Sequence, residues 1–383
     1  MKRARAPLGI SQGVAHAALV GPEELARTSG RSSLLRLGSN ESPFGPSPNA
    51  IAAIQAEAAH GARYGDPSCA LLRAAIAARH GVPPECVTVG AGIDDLLGWI
   101  VRAYVPAGGA TVAGLGSFPT FEMHALGYGT HLVRVPYRSD GRLDLAGFAA
   151  AAERLGGALV FFPNPDNPSG TAYSWPEVLD FLDALPEGTL VIHDEAYGEF
   201  LPPERRFPRG AIDPRTIRLR TFSKEFGLAG LRVGYALGTP EAIAALDAVR
   251  LLYGVSRPAQ AAALAALADE AFVESVIAAV AAGRAEYDAL GTELGWPTLP
   301  STTNFVLFDF GTPDAATRAV AGLLERGIHV RKPSQPPLDR YVRISVGSPS
   351  DRAELAVALR ALRRAAGPPG DLGEAERREE PRS

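Results

Sequence analysis

A chain of 383 residues, 46% hydrophobic and 21% charged, is long enough for two domains or one large one and has the balance of a soluble globular protein. Its net charge of -4 argues against a general nucleic-acid binder. Cys69 and Cys86 are too few for a disulfide framework or a Cys-based zinc site, no apolar run reaches the roughly 20 residues of a membrane helix, and the expected location is the reducing cytoplasm.

Residues 1–30 begin on the basic "MKRAR" and build no long apolar core before their Pro and Gly residues, so they read as a flexible arm, not a signal peptide. Residues 31–47 are too short to fold alone and are expected to pack on a second, smaller unit. From about Pro48, apolar runs alternate with helical sequence. "LLRAAIAARHG" reads as a helix closed by Gly81, "CVTV" as a buried strand, "DDLLGWIVRAYV" as a helix ended by Pro106, and "ATVAGL" as another strand. "ALVFFP", "TLVIHD" and "TIRLRTF" are continuous apolar or β-branched runs, each followed by a loop and then helical sequence. That alternation is the pattern of a parallel sheet with helices on both faces, so 48–274 are expected to form a large α/β domain. Beyond it a long Ala-rich helix, "TNFVLFDF", a helix near "AATRAVAGLLERG", "IHVRK", "YVRISVG" and a last helix from Asp351 make an α+β unit. The small domain is therefore read as 31–47 with 275–366. The Pro-, Gly- and charge-rich stretch 367–383 reads as a disordered tail.

Ligands of open α/β sheets gather beyond the carboxyl ends of the strands, and four of these ends carry unusual polar groups. After "VTV", Gly90, Ala91 and Gly92 lead into a helix whose first N–H groups make an anion site. A dinucleotide fingerprint fails there, because Asp95 stands where G-x-G-x-x-G needs glycine. In "FFPNPDNPSG" a rigid loop offers the amide of Asn167; by itself the stretch is equally a plain turn. In "TLVIHDEAYGEF" Asp194 closes a buried strand, where a carboxylate needs a cationic or hydrogen-bonded partner, and Tyr197 follows; the plain alternative is an exposed acidic turn. His193 reads as a packing histidine, since no His or Cys stands at metal-ligand spacing, and no metal is expected.

The fourth end is "RTFSKEFGLAGLR". Lys224 is surrounded by Thr221, Ser223 and Arg232, two hydroxyls and a guanidinium suited to a phosphate, while Gly227 and Gly230 let the backbone bend close. Together the four ends ask for a carbonyl at Lys224, a basic ring nitrogen at Asp194, an oxygen at Tyr197 and Asn167, and a phosphate. Pyridoxal 5′-phosphate has all four. The lysine would hold its aldehyde as an imine and later move a proton, and the aspartate would keep the ring nitrogen protonated.

"NPDNPSG", "HDEAYGEF" and "TFSKEFGLAGLRVGY" resemble the signatures of fold-type I, aspartate-aminotransferase-like pyridoxal-phosphate enzymes. More narrowly, "LGSNESPFGPSP", "RYGDPS", "GAGIDDLL", "FPTFEM", "LLYGVSRPAQAAALAAL", "TNFVLF" and "YVRISVG" resemble the histidinol-phosphate aminotransferase family over roughly residues 35–365. The resemblance implies a large domain with a mostly parallel seven-stranded sheet covered by helices, plus a smaller α+β domain. It implies that Lys224 carries the cofactor, that Asp194 partners the pyridine nitrogen, and that Tyr197 and Asn167 hold the ring hydroxyl. Phe121 would stack on the ring, and Gly92, Ile93, Asp94, Thr221, Ser223 and Arg232 would surround the phosphate.

By the same resemblance, Tyr64 reaches the phosphate from a partner subunit, which makes the protein a homodimer. Arg343 grips the substrate carboxylate and Arg331 lies near its distal end. The chain departs from the family pattern at Ile93 and Asp95 in the phosphate turn, at Gly65 after Tyr64, and at Phe44 and His124, which are expected near the substrate. The implied activity is amino-group transfer between an amino acid or amine and a 2-oxo acid such as 2-oxoglutarate. Histidinol phosphate is the leading donor, which would place the enzyme in histidine biosynthesis, and an aromatic or other amino acid comes next. The alternative is a lyase of the threonine-phosphate decarboxylase type.

Overall fold

A computed structural model of the protein describes residues 20–365. The strands fall on the apolar runs. β1 (Leu35–Arg36) comes first, followed by β2 (Val87–Gly90), β3 (Ala110–Gly114), β4 (His131–Val135), β5 (Leu159–Pro163), β6 (Leu190–Asp194), β7 (Thr216–Thr221) and β8 (Gly234–Leu237). The last seven form one sheet in the order β2-β8-β7-β6-β5-β3-β4. β8 is antiparallel to both neighbours and the other pairs are parallel, which is the mostly parallel seven-stranded sheet expected.

β5 shows why these strands read as unbroken apolar runs. Leu159 and Phe161 join the apolar cluster on one face, with Leu96, Ile100 and Phe121, while Val160 and Phe162 join the cluster on the other, with Phe148 and Phe181. A strand buried on both faces cannot alternate apolar with polar residues. The helix Ala70–His80 ends, as expected, on Gly81 at φ 69. The helix Ile93–Tyr104 starts from Gly92 at φ 88, a conformation that strains any other residue.

The C-terminal part contains the helix Glu270–Leu294, β9 (Phe305–Asp309), β10 (Ile328–His329), β11 (Tyr341–Ser345) and the helix Pro349–Ala365. β9 pairs antiparallel with β11, and β1 returns to pair parallel with β10. Val306, Phe308 and Leu359 share one apolar cluster with Val160 and Phe162 of the large sheet.

The final third of the expected arm lies within the described residues. Pro22–Thr28 form a helix with Pro in its first turn, acids at its start and Arg27 at its end. Arg36 pairs with Glu23, and Arg31 donates to the Glu325 carbonyl, which ties this helix to the C-terminal part. The rest of the arm and the expected tail lie outside the described residues.

The segment after β1 crosses the loop that carries Lys224. Gly227 has φ 69, and a Cβ there would sit 2.1 Å from the Gly45 carbonyl oxygen. Gly227→Ala is therefore expected to cost at least the ~1–3 kcal/mol of a non-glycine residue held at positive φ. Urea unfolding would read this as a lower midpoint, and an unchanged midpoint would show that the segment can move aside.

Candidate active site

Three loops converge at the carboxyl ends of the central strands. Pro163 of β5 is in register with Asp194 of β6, and the amide of Asn164 donates to the Asp194 carbonyl at 2.9 Å. Asp194 is in register with Leu219 of β7, two residues before Thr221. On the other side Gly234 of β8 pairs with both Thr221 and Gly90. The antiparallel strand thus brings the Gly90–Gly92 turn and Arg232 to the same end of the sheet as Ser223 and Lys224.

Asp194 is 5% exposed and its Oδ1 accepts a 2.9 Å bond from the Ala196 amide. Among the described residues it forms no ion pair. Burial pushes its carboxyl up to about 7, with Asp94 and Glu195 adding to the rise and Lys224 opposing it. A carboxyl so placed is suited to a ligand that brings a cationic N–H.

Lys224 Nζ donates to the Asn40 carbonyl at 3.1 Å and stands 5.5 Å from the centre of the Tyr197 ring. Asn40 is the residue that sequence reasoning missed. It is 2% exposed at φ 53; its Nδ2 donates to the Tyr197 hydroxyl at 2.9 Å, and its Oδ1 accepts from Ser345 Oγ at 3.0 Å. One side chain therefore positions Tyr197 while its carbonyl holds the lysine. A buried asparagine in "LGSNESPFG", among small and turn-forming residues, was the available signal.

At the anion end, a Cβ on Gly92 would fall 2.6 Å from Arg232 Nη2, so only glycine leaves room for the guanidinium over the helix N-terminus. Arg232 Nη2 lies 3.1 Å from Asp94 Oδ2. Both side chains are nearly half exposed, so this contact is weak and easily exchanged for an anion. Thr221 and Ser223 hydrogen-bond each other at 2.9 Å. The Ile93 side chain is buried, leaving the turn its backbone donors, and Asp95 Oδ2 accepts from the Ala91 amide at 3.0 Å.

At the far end Arg343 is partly buried. Its Nη1 donates to Asn167 Oδ1 at 2.6 Å and its Nη2 to the Gly38 carbonyl at 2.7 Å, while its buried Nε has no partner. Burial pulls the guanidinium down to about 10. Arg331 bridges Arg343 through the backbone and donates from Nη2 to the Val20 carbonyl at 3.3 Å. Neither arginine has a carboxylate partner among the described residues.

Phe121 is 0% exposed and stacks on Phe161 at 4.9 Å and 12°; two phenyl rings facing the same side of the sheet bury each other. His124 Nε2 is bonded to the Asp94 carbonyl at 2.8 Å, in a space kept open by Gly98. Phe44 is half-buried against the large apolar cluster. Tyr64 is 77% exposed and stacks on Tyr253 at 4.4 Å, beside the exposed Leu251 and Leu252.

The chemistry of the donor set fits pyridoxal phosphate: a lysine amine, a buried carboxyl, a phenol, a side-chain amide, and a helix N-terminus with an arginine. Residues 32–362 match the aminotransferase class I and II family, and the chain belongs to it. With this site, it is a pyridoxal-phosphate-dependent aminotransferase.

A similar protein is histidinol-phosphate aminotransferase 1 of Mesorhizobium japonicum, 38% identical over 341 residues, 86% of this chain and 90% of the relative. The solved histidinol-phosphate aminotransferase of Sinorhizobium meliloti in complex with pyridoxal-5′-phosphate superposes with a TM-score of 0.87 at 43% identity, covering 91% of this chain and 96% of that one. Aspartate aminotransferase of Thermus thermophilus with maleate gives 0.74 at 25%, covering 88% and 93%. These relatives favour amino transfer over the lyase alternative.

Proposed function

We propose that the enzyme transfers the amino group of histidinol phosphate to a 2-oxo acid such as 2-oxoglutarate, as a cytoplasmic step of histidine biosynthesis. The observation that carries this reading is the pair Arg331 and Arg343, two adjacent guanidiniums without carboxylate partners beside Asn167. Both substrates are anions, and a buried cation held only by neutral acceptors is stabilised when one arrives. Two of the named relatives are histidinol-phosphate aminotransferases, which supports the choice of donor.

When bound, pyridoxal phosphate supplies the carbonyl that receives the amino group and a ring that accepts the electron pair freed at the substrate carbon. In the proposed roles, Lys224 Nζ binds that carbonyl and then moves the proton at the substrate carbon. Asp194 holds the proton on the ring nitrogen. Tyr197, oriented by Asn40, and Asn167 hold the ring oxygen. The backbone donors of Gly92, Ile93 and Asp94, with Thr221, Ser223 and Arg232, hold the phosphate, and Tyr64 of a second copy completes it in a homodimer. The exposed patch of Tyr64, Tyr253, Leu251 and Leu252 supports that dimer, being apolar surface of the kind that interfaces cover.

Arg343 is the proposed grip for the carboxylate and Arg331 for the phosphate. Losing hydrogen bonds to a charged group costs about 1.5–3 kcal/mol, so Arg343→Ala is expected to raise KM for 2-oxoglutarate about 10- to 100-fold. Arg331→Ala is expected to raise KM for histidinol phosphate more than for 2-oxoglutarate; equal or reversed effects would remove that assignment. The donor itself is tested by comparing kcat/KM for histidinol phosphate, Phe, Tyr and Leu with 2-oxoglutarate as acceptor. Histidinol phosphate is expected to lead, and an aromatic amino acid in first place would overturn the reading.

A further inference from the structure

Another face of the β6–β7 region carries a cavity of about 660 Å³. It is not the cradle described above: Arg79, Arg206, Arg209, Arg218 and Arg220 line it, between the helices Ala70–His80 and Arg257–Ala268 and the loop after Glu199. Alternation along β7 places Arg218 and Arg220 here, since Ile217 and Leu219 enter the apolar cluster of the opposite face.

The positive charge is under-compensated. Glu199 serves three guanidiniums, Arg220 at 2.9 Å, Arg206 at 3.3 Å and Arg79 at 3.5 Å. Glu195 serves two, Arg218 at 2.9 Å and Arg220 at 3.1 Å. Four arginines thus share two buried carboxylates. Among the described residues Arg209 at the rim donates only to the Ala78 carbonyl, and Glu270, 3.8 Å from Arg79, is 74% exposed. A third buried carboxyl, Glu225, is raised by burial and by Glu199, which weakens it as a counter-charge. His80, bonded to the Tyr235 hydroxyl and pulled down to about 3 by burial, is neutral. Ala75, Leu264 and Leu267 supply an apolar wall. Guanidinium forks suit carboxylate and phosphate oxygens, and the volume exceeds what a bare ion fills.

We propose that this cavity is a regulatory site for a small organic dianion, a phosphate monoester or a dicarboxylate. The coupling route is short. Glu195 directly follows Asp194, Glu199 comes two residues after Tyr197, and a Cβ on Gly198 between them would lie 3.0 Å from Arg220 Cζ. An anion that takes donors of Arg79 and Arg206 changes what holds Glu199, and with it the turn that carries Asp194 and Tyr197.

The test uses the cofactor-loaded enzyme carrying Arg331→Ala and Arg343→Ala, which removes anion binding at the substrate end. Calorimetry at constant ionic strength with inorganic phosphate in one arm and malonate in the other is expected to show one saturable site per chain in at least one arm. The arm that binds assigns phosphate or dicarboxylate chemistry. Adding Arg79→Ala should weaken it at least tenfold. Ala75→Trp, which fills the cavity without removing a charge, should do the same, so the result does not rest on one variant folding. Saturation should also move the cofactor's visible absorption band. No saturable heat in either arm, or binding indifferent to both variants, overturns the site; saturation with an unmoved band overturns its coupling to catalysis.

Discussion

Lys224→Ala is expected to lower kcat by about four orders of magnitude or more, since it removes both the covalent attachment point and the group that moves the proton, the latter alone worth about 10²–10⁴-fold. No other lysine can take its place. The chain has three, Lys2, Lys224 and Lys332, and Lys332 Nζ is committed to the Asp339 carbonyl at 2.9 Å. The loss should be one of chemistry and not of folding, because the side chain is only partly buried and its hydrogen bond is to the Asn40 carbonyl. Single-turnover kinetics with glutamate, together with the thermal midpoint of the same sample, checks both halves. A rate within tenfold of the parent enzyme would remove Lys224 from the mechanism.

Asp194→Ala is expected to have the next largest effect. Removing one partner of a buried charge pair costs about 3–5 kcal/mol, so cofactor affinity and kcat together should fall about 150- to 5,000-fold. The cofactor-free protein offers an independent check by pH. The folded carboxyl titrates near 7, above its ordinary value of 3.8. Between those values the folded state keeps a proton that the unfolded state has released, so this group lowers stability as pH rises from about 4 to about 7. Asp194→Asn should flatten that part of the curve of thermal midpoint against pH, and adding pyridoxal phosphate to the parent protein should oppose the loss. A curve unaltered by the substitution would mean that Asp194 is not a buried, unpaired carboxyl.

Much of this was legible because burial on both faces writes continuous apolar runs. β5, β6 and β7 could be located, and the polar residues just after them, Asn167, Asp194 and Lys224, stood out against those runs. Short elements were harder to read. β8 has four residues and follows the Arg232 turn directly, yet it is the strand that joins Thr221 to the Gly90 turn. Asn40 was missed because its partners, Tyr197, Lys224, Asn304 and Ser345, lie between 157 and 305 residues away, and no local pattern encodes such contacts. The packing partners of Phe121 and His124 were illegible for a related reason. The sequence shows an aromatic ring and an imidazole, but which neighbour each one buries against is decided by Phe161 and Gly98 on other elements.

The central claim is that one lysine at the end of β7 carries the cofactor. Incubation with pyridoxal phosphate, reduction with borohydride and peptide mapping by mass spectrometry test it directly, since only three lysines compete. The account predicts a single pyridoxyl group on the peptide containing Lys224. A label on Lys2 or Lys332 instead, or none on any lysine, would contradict it.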